Sequence, residues 1–475
     1  MVACLLELKM KKMKRSDRTD AIKHLYSRAS FGINYPDLLR LSKVNRDKVL
    51  DKMFEDTEAF TLLTVAKENI LRPGRKDNPT EEDIKIYTKK RTEQEEAVNI
   101  AWVSHLSGDK AHLREKLTLF WHGHFACRTN NGYYNQQLNN VHREHALGNF
   151  RTMVIEVSKT PAMLSFLNNQ QNKKVKPNEN FARELMELFM LGRGHYTEAD
   201  IRESARAFTG WQFRADTSEF FFNERQHDKG SKVFFGKTGN FRGEDIIDMI
   251  LGKRQCAHFI AERLYRFFVN DVPDPIHVKD LGDYFYDENY EIKPLIRRIF
   301  SSKWFYQANN VGNKIKSPIE LLVGLNRSFY IRYGRPGVLL QLQRSLGQAV
   351  FYPPNVAGWP GGTSWIDSSS LLVRLKLPST LLNGGIIESE GKPDPEDEAY
   401  LATARKSQTN VERRVQTYPE WARFRKDLPS GINREQLAYV LLTPNVKPGS
   451  MDNIDQSDPV QMAIQLVSTP EYQLC

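Results

Sequence analysis

Four side chains of this 475-residue chain are of the types that bind transition metals. They are His122, His124, Glu184 and His195. Imidazole and carboxylate groups are ligands for zinc, iron, copper and manganese, and a site of three or four such groups with one open position can activate water or dioxygen. The residue types therefore predict a divalent transition-metal cofactor, and they are equally compatible with hydrolytic and redox chemistry.

The spacing of His122 and His124 sets a condition for this metal site. Residues two apart on an α-helix point about 200° away from each other, because one turn holds roughly 3.6 residues. The two imidazoles can therefore share one ion only if the helix ends at Gly123 or if the segment is extended. The apolar spacing before His122 predicts a helix, and Gly123 is its expected end.

Glu184 and Glu187 are three residues apart on a predicted helix, so their carboxylates are neighbours and repel each other unless a positive group lies between them. Two interpretations are open. Either the carboxylates belong to the metal site, with Glu187 as a catalytic acid or base, or they form a structural salt-bridge network. The arginines considered for that network are Arg183, Arg202 and Arg206.

The other candidate histidines also have two interpretations each. His195 lies between two predicted helices, where it binds metal, transfers a proton or bonds a helix-end carbonyl. His227 and Asp228 are a catalytic acid–base pair or a second ligand pair, or Asp228 only forms a turn. His142 and His145 have a spacing that suits a metal, but their charged neighbours indicate an ordinary solvated helix face.

The segment from Pro353 to Gly362 is a shaped loop, because its prolines and glycines exclude both a helix and a central strand. The loop and the residues just after it supply Asn355, Trp359 and Trp365 as a candidate ligand-binding surface, on which a sugar or a peptide could stack. The alternative is that the tryptophans fill the core beneath the turn and that Asn355 bonds its own backbone.

Charge and motif content exclude several classes of function. The 68 Lys and Arg residues give the chain a net charge of +10 against 58 Asp and Glu residues, and the mean hydropathy is -0.55. Basic residues are mixed with acidic ones almost everywhere, which indicates a solvated surface and makes nucleic acid an unlikely partner. A weaker interpretation is nucleic-acid binding through the basic run from Lys9 to Arg15. The sequence has no P-loop, dinucleotide-binding, G-x-S-x-G or EF-hand motif.

Apolar periodicity predicts a mainly α fold, with a large multi-helix domain, long ordered loops and a small β-hairpin excursion near residues 213–241. A single helical domain is expected over residues 18–380. A polar, mobile insertion is expected at 381–415, followed by C-terminal helices at 416–475 that pack back on the main domain. Because no stretch reaches about 18 consecutive apolar residues, no transmembrane segment is expected.

Four segments carry a resemblance to a known family. They are FWHGHFA (120–126), NENFARELMELF (178–189), GHYTEAD (194–200) and PPNVAGWPGG (353–362). In this order they resemble the bacterial domain of unknown function family 1800, and the likeness covers the chain from about His24 to Leu377. The family name itself implies no reaction.

The resemblance does imply a setting for the protein. Members of the family are often encoded beside a second family that is similar to sulfatases and phosphatases, so a protein of that kind is the expected partner. Many members carry export signals, which implies the cell envelope or periplasm. In this chain the short apolar piece at the start precedes the basic run, the reverse of a secretory signal, so the sequence itself predicts the cytoplasm.

Two functions compete for these observations. The first is a metal-dependent enzyme, hydrolytic or redox, with His122, His124, Glu184 and His195 as its ligands. The second is a non-catalytic envelope or assembly protein that binds a glycan or a protein partner through its basic surface and its tryptophan-containing loop.

Overall fold

The computed structural model describes residues 17–74, 79–108, 110, 112–383, 415–442, 446 and 451–475. The described residues form twenty α-helices and three two-stranded antiparallel sheets. The mainly α fold that the sequence predicts is confirmed. Nearly all of the polar insertion expected at 381–415 lies outside the described residues, and so does the basic run from Lys9 to Arg15.

The first half of the chain is almost entirely helical. Its helices are α1 (Asp17–Ala29), α2 (Tyr35–Leu41), α3 (Arg46–Glu55), α4 (Glu81–Leu106), α5 (His112–His124), α6 (Gly132–His145), α7 (Phe150–Lys159), α8 (Pro161–Phe166), α9 (Asn180–Glu184) and α10 (Glu198–Ala207). A π-helix, Leu185–Met190, continues α9 directly.

The β structure expected near 213–241 is present as two hairpins. β1 (Trp211–Phe213) pairs with β2 (Phe220–Phe222), and β3 (Lys232–Phe234) pairs with β4 (Lys237–Gly239). A third pair joins β5 (Arg332–Tyr333) to β6 (Thr417–Tyr418).

Helices resume after the hairpins. They are α11 (Gly243–Leu251), α12 (Arg254–Phe268), α13 (Pro275–Asp287), α14 (Ile292–Ser301), α15 (Pro318–Phe329), α16 (Val338–Leu346), α17 (Ser368–Asn383), α18 (Trp421–Asp427), α19 (Arg434–Leu441) and α20 (Pro459–Val467). None of the helices in the described ranges combines the length and the apolar character that a membrane crossing requires.

Reciprocal hydrogen bonds fix where two of these helices begin. The Thr80 side chain accepts a hydrogen bond from the Asp83 N–H, and the Asp83 carboxylate accepts one from the Thr80 N–H, which starts α4. Thr197 and Asp200 form the same capping box at the start of α10. Such a cap stabilises a helix by about 1 kcal/mol, and the sequence spacing predicts both.

Two hydrophobic cores divide the apolar side chains. The first is built by α1–α3 and α5–α14 and includes Trp121 and Phe268. The second is built by α4 and α15–α20 and includes Trp102 and Leu466. Helix α5 contributes to both, because Leu117 packs in the first core and Leu119 in the second. The C-terminal helices thus share a core with α4, while the domain limits drawn from the sequence stay a prediction.

Charged side chains of α5 are buried between these two cores. Glu115 is 1% exposed, and its carboxylate accepts hydrogen bonds from Arg143 Nε at 2.5 Å and from Trp102 Nε1 at 3.1 Å. Burial alone raises the pKa of Glu115, but hydrogen bonds from His105 and Arg143 outweigh it and lower the pKa to about 2. The buried carboxylate is therefore ionised and depends on Arg143.

The variant Arg143→Met leaves the Glu115 carboxylate buried without its main partner. Breaking one side of a buried ion pair costs about 3–5 kcal/mol, so the free energy of unfolding in urea should fall by that amount. The double variant Glu115→Leu/Arg143→Met removes both charges and should recover most of the loss. A double variant that is no more stable than Arg143→Met would contradict this account of the pair.

Candidate functional site

Gly123 does not end α5, contrary to the expectation from its sequence. The helix continues to His124, and the Phe125 N–H still bonds the Trp121 carbonyl at 2.8 Å. A glycine inside a helix costs only about 1 kcal/mol, which the burial of large apolar side chains on both sides outweighs. The two histidines therefore lie on a continuous helix and contact different neighbours.

His122 accepts a hydrogen bond from the backbone. The Phe351 N–H donates to its Nε2 atom at 3.0 Å, and acceptance at Nε2 places the ring proton on Nδ1. Burial lowers the pKa of His122 to about 3, so the ring is neutral at pH 7. The one lone pair of the His122 ring is therefore already used by the Phe351 N–H.

His124 donates a hydrogen bond to the π-helix. Its Nε2 atom lies 2.9 Å from the carbonyl oxygen of Phe189, so Nε2 carries the proton. Burial lowers the pKa of His124 to about 3 as well. The Nδ1 atom is buried and has no hydrogen-bond partner within the described residues. His124 thus satisfies a carbonyl near the end of the π-helix, where the ordinary helical donor is missing.

Glu184 and Glu187 are close enough for their charges to interact. Glu187 accepts hydrogen bonds from Arg193 Nε at 2.5 Å and from the Tyr196 hydroxyl at 2.9 Å, and the bond from Arg193 lowers its pKa. Burial and then the charge of Glu187 raise the pKa of Glu184. Two of the arginines considered as their partners bond other carboxylates: Arg183 bonds Glu179 and Glu198, and Arg206 bonds Glu203 and Asp228.

The remaining ligand candidates are spread over different parts of the fold. His195 is exposed in the connector before α10. His227 is buried and donates from Nδ1 to the Thr209 carbonyl at 2.9 Å, while Asp228 accepts from Arg206 Nε at 2.7 Å. Across the part of the chain that the structure describes, no group of three or more His, Cys, Asp or Glu side chains could hold a metal ion. The metal site therefore stays a prediction.

The candidate ligand-binding loop packs on the end of α5. Trp365 is buried, whereas the ring of Trp359 is partly exposed and its centroid lies 5.7 Å from that of His122. Asn355 is exposed, and its side-chain oxygen accepts a hydrogen bond from the Ala357 N–H at 2.9 Å. Of the three loop residues, Asn355 and Trp359 are therefore the ones that a ligand could reach.

The glycine at position 358 is required by this packing. Its φ is +76°, and a Cβ atom there would lie 2.5 Å from the carbonyl oxygen of Gly123. Both the left-handed backbone and the close approach exclude a side chain at this point. The loop and the end of α5 consequently meet backbone against backbone.

A polar cleft of about 270 Å³ lies beside α4, and we refer to it as the α4 pocket. Helix α4 forms one wall, and the segment after α5, the end of α16 and the turn that follows α16 form the others. The charged and phenolic side chains in its lining are Tyr87, Arg91, Glu95, Glu96, Arg128, Arg344 and Tyr352.

Glu95 is the carboxyl group of the α4 pocket that is poised to exchange a proton. Its side chain is 11% exposed, with Arg91 Nη2 at 3.8 Å and the Tyr352 hydroxyl at 3.4 Å from its two oxygens. Burial raises the pKa of Glu95 to about 7, although Arg91, Tyr352 and Arg128 act in the opposite direction. A carboxyl group that titrates near neutral pH can serve as both acid and base.

Three arginines give the α4 pocket its positive charge. Arg91 Nη1 donates to the Tyr87 hydroxyl at 2.6 Å, and the guanidinium carbon of Arg344 lies 5.4 Å from the centroid of the Tyr352 ring. Guanidinium groups bind phosphate, sulfate and carboxylate through paired N–H donors. Because the lining has three arginines and only two glutamates, the empty pocket carries a positive charge, which increases when Glu95 is protonated.

The position of Tyr352 depends on a strained turn. Phe351, the residue before it, has φ +72°, a left-handed conformation that costs a bulky side chain about 1–3 kcal/mol. The hydrogen bond to His122 holds this residue in place. Val350, which precedes Phe351, is held by two buried side-chain amides. Its N–H donates to Gln343 Oε1 at 3.0 Å, and its carbonyl accepts from Asn99 Nδ2 at 2.9 Å.

The spacing of residues in α4 indicates that Glu95 faces inward, although the charge-rich composition around it suggests a solvated helix. Residues 81–96 are so rich in charge that they indicate a solvated helix face. However, Arg91 and Glu95 follow Tyr87 at four-residue spacing and lead to Trp102, so they continue the apolar stripe of α4 inward. A carboxylate inside an apolar stripe is the pattern that would have identified the site.

The chain was compared with families, curated proteins and solved structures. The family model described as "Protein of unknown function (DUF1800)" matches residues 24–474. No curated protein and no solved structure matches the chain. The match extends past Leu377, where the resemblance of the sequence motifs ends, and includes α18–α20.

Acid should destabilise the fold through His122 and His124. The pKa of each is about 6.5 in the unfolded chain and about 3 in the folded one, so only the unfolded chain takes up protons between these values. The stabilisation is present in full above about pH 6.5 and is lost as the pH falls toward 3. Each histidine contributes a slope of up to about 1.4 kcal/mol per pH unit, which urea unfolding at several pH values measures.

Glutamine in place of either histidine keeps a polar amide but cannot take up the proton. His122→Gln and His124→Gln should each flatten this slope by about 1.4 kcal/mol per pH unit between about pH 4 and 6. Slopes in both variants that equal the wild-type slope would contradict the burial of neutral imidazoles at these positions.

Proposed function

This chain belongs to the DUF1800 family of proteins of unknown function, and we propose that it is an enzyme whose substrate carries an oxyanion. The proposal places the sulfate, phosphate or carboxylate group of the substrate in the α4 pocket. The observation that carries it is a carboxyl group, Glu95, with a pKa of about 7 in a cleft that also contains three arginines. Perturbed acids in clefts are concentrated at active sites.

Binding is assigned to Arg91, Arg128 and Arg344. They line the cleft from three different parts of the chain, so an oxyanion between them would be held from several directions. The cleft volume of about 270 Å³ accommodates the charged group and the atoms next to it, with the rest of a larger substrate outside. Such an arrangement favours a charged group at one end of a longer molecule.

Catalysis is assigned to Glu95, with Tyr352 as its hydrogen-bond partner. In its protonated form Glu95 donates a proton to the leaving oxygen of an ester or glycosidic bond, and the carboxylate that results takes a proton from the attacking water. The proton count then closes after one turnover. The Tyr352 hydroxyl, 3.4 Å from Glu95, orients the carboxyl group throughout.

The partner expected from the family resemblance fits this substrate class. Sulfatase- and phosphatase-like proteins remove oxyanions from larger molecules, so a protein encoded beside one would meet the same substrates before or after that removal. We therefore propose an anionic glycan or ester as the common substrate. The expected envelope location, where such polymers occur, is part of the same proposal.

Binding of inorganic sulfate tests the oxyanion site. Sulfate does not titrate near neutral pH, so any pH dependence comes from the protein. As the pH rises from about 6 to 8, Glu95 loses its proton and repels the anion, and the affinity measured by calorimetry should fall by up to about tenfold. Glu95→Gln should keep the low-pH affinity at every pH.

Two arginine variants provide the comparison. Arg344→Leu should weaken sulfate binding about tenfold or more at every pH, because it removes a charge-assisted donor. Arg332→Leu changes an exposed arginine whose ion pair with Glu420 contributes little, and should bind sulfate like the wild type. A Glu95→Gln variant with the wild-type pH dependence would contradict the assignment of Glu95.

Turnover of chromogenic substrates tests the catalytic part of the proposal. The set comprises 4-nitrophenyl sulfate, 4-nitrophenyl phosphate and 4-nitrophenyl glucuronide. At least one should be hydrolysed, with kcat reduced by about 10²–10⁴-fold in Glu95→Gln and unchanged in Arg332→Leu. Sulfate binding without turnover of any of them would instead favour the non-catalytic protein that binds a glycan or protein partner.

A metal-dependent enzyme, hydrolytic or redox, is the second candidate. The observation that favours it is a set of buried imidazole nitrogens, namely both of His142 and Nδ1 of His124, that have no hydrogen-bond partner within the described residues. The rings of His142 and His122 lie 6.3 Å apart, measured between centroids. Nitrogen lone pairs in such positions are potential ligands for a transition metal.

Elemental analysis of protein purified without chelator tests this candidate. It should find a near-stoichiometric transition metal that is lost in His124→Ala and in His142→Ala, both of which should remain helical by circular dichroism. Folded, metal-free protein that takes up no metal on soaking would remove the candidate.

A further inference from the structure

A second cavity, of about 80 Å³, lies between α1, α15 and the residues that follow α20. We refer to it as the lysine pocket, because Lys23, Lys116 and Lys316 line it together with a single glutamate, Glu320. The rest of its lining is largely apolar and includes Phe31. Neither the α4 pocket nor the proposed reaction involves these residues.

Glu320 is fully engaged by groups that are already present. One carboxylate oxygen accepts from Lys116 Nζ at 2.5 Å, and the other accepts from the Ser317 N–H at 2.7 Å, as part of the cap of α15. Lys116, which is 1% exposed, also donates to the Ser30 carbonyl at 2.8 Å. Glu320 therefore pairs directly with Lys116, while its charge and that of Cys475, the other acidic group of the lining, also act on Lys316.

Lys316 keeps donor capacity toward the cavity. Its ammonium group donates to the Tyr472 carbonyl at 2.7 Å and lies 3.7 Å from the centroid of the Tyr472 ring. An ammonium group has three donors, of which this hydrogen bond uses one. Burial lowers the pKa of Lys316 to about 8, although the negative charges of Cys475 and Glu320 act in the opposite direction.

Two buried arginines add to the positive charge around Glu320. Arg28 and Arg374 are at most 2% exposed, and Glu320 and Cys475 raise the pKa values of both against the effect of burial. Within the described residues, Nε and Nη1 of Arg28 and Nη1 of Arg374 have no hydrogen-bond partner. The buried Ser30 hydroxyl also has no hydrogen-bond partner within the described residues.

Basic groups outnumber acidic groups throughout this region. Among the described residues, the basic groups are those of Arg28, Lys116, Lys314, Lys316 and Arg374, and the acidic groups that interact with them are those of Asp271, Glu320 and Cys475. Buried charge of one sign is costly unless an opposite charge accompanies it. A negative ligand in the cavity would supply that charge and would accept from the donors of Lys316 that its bond to the Tyr472 carbonyl leaves unused.

We propose that the lysine pocket binds a small oxyanion, with its negative oxygens at Lys316 and Lys116 and any short apolar substituent against Phe31 and Leu441. The size of the cavity limits the ligand to a single oxyanion group with a few carbon atoms. Inorganic sulfate or phosphate and a short-chain carboxylate share this chemistry. The apolar part of the lining gives the carboxylate the larger contact.

Calorimetric titration with sodium sulfate and, separately, with sodium butyrate tests the lysine pocket. The titrations use the Arg344→Leu chain, in which sulfate binding at the α4 pocket is weakened, and variants of the lysine pocket then identify the site that remains. One saturable site should remain for at least one anion. Adding Lys316→Met should weaken it about tenfold, the equivalent of one charge-assisted hydrogen bond, whereas Lys376→Met, at an exposed position of α17, should not.

A second variant keeps the test decisive if Lys316→Met does not fold. Gly324 lines the cavity, and a Cβ atom there would make only ordinary contacts, 3.6 Å from the Phe31 carbonyl and 3.9 Å from the Tyr472 hydroxyl. Gly324→Leu should fold, fill the cavity and abolish binding of both anions. The proposal is overturned if neither anion binds the Arg344→Leu chain, or if Gly324→Leu binds them as tightly as its parent. If sulfate binds the lysine pocket but does not bind the α4 pocket of the wild-type chain, that result would contradict only the proposed enzyme.

Discussion

Helix α5 is buried on almost every side, and much of the structure is arranged to satisfy its polar side chains. A helix between two cores has no solvated face on which charges can be hydrated, and each unpaired buried charge costs several kcal/mol. Its polar residues are therefore bonded to four separate parts of the chain: Glu115 to Arg143, Lys116 to Glu320, His122 to Phe351, and His124 to Phe189. These bonds connect one helix to α6, to the lysine pocket, to the turn beside the α4 pocket and to the π-helix.

The four segments that carry the family resemblance support one another around the end of this helix. FWHGHFA ends α5, and PPNVAGWPGG packs on it through Gly358. NENFARELMELF forms the π-helix that His124 contacts, and Tyr196 of GHYTEAD bonds Glu187 within it. His122, His124 and Glu187, whose residue types predict metal chemistry, thus also make contacts that join these segments. The α4 pocket lies beside them and is lined in part by residues of α4 and α16.

Local signals in the sequence predict local structure, and long-range contacts account for the rest. The capping boxes at Thr80 and Thr197 need only residues three positions away, so spacing predicts both helix starts. Gly123 is different, because the packing of two cores against α5 overrides its weak preference to end a helix. The α4 pocket joins Glu95 to Arg128 and Tyr352, which are far apart in the sequence. No spacing predicts that meeting, although the helical period of α4 places Glu95 on its inner face.

The second core is divided along the chain. Helix α4 of this core lies early in the sequence. The other helices of the core, α15–α20, follow all the helices of the first core. During synthesis from the N-terminus, Val98, Trp102 and Leu106 of α4 are therefore made long before their partners exist. The ribosome-bound chain carries an apolar helix face that α5 and α6 cover only in part until α15 and the following helices emerge. The order of the helices along the chain, and not the stability of the finished fold, therefore sets how long this face of α4 waits for its full set of partners.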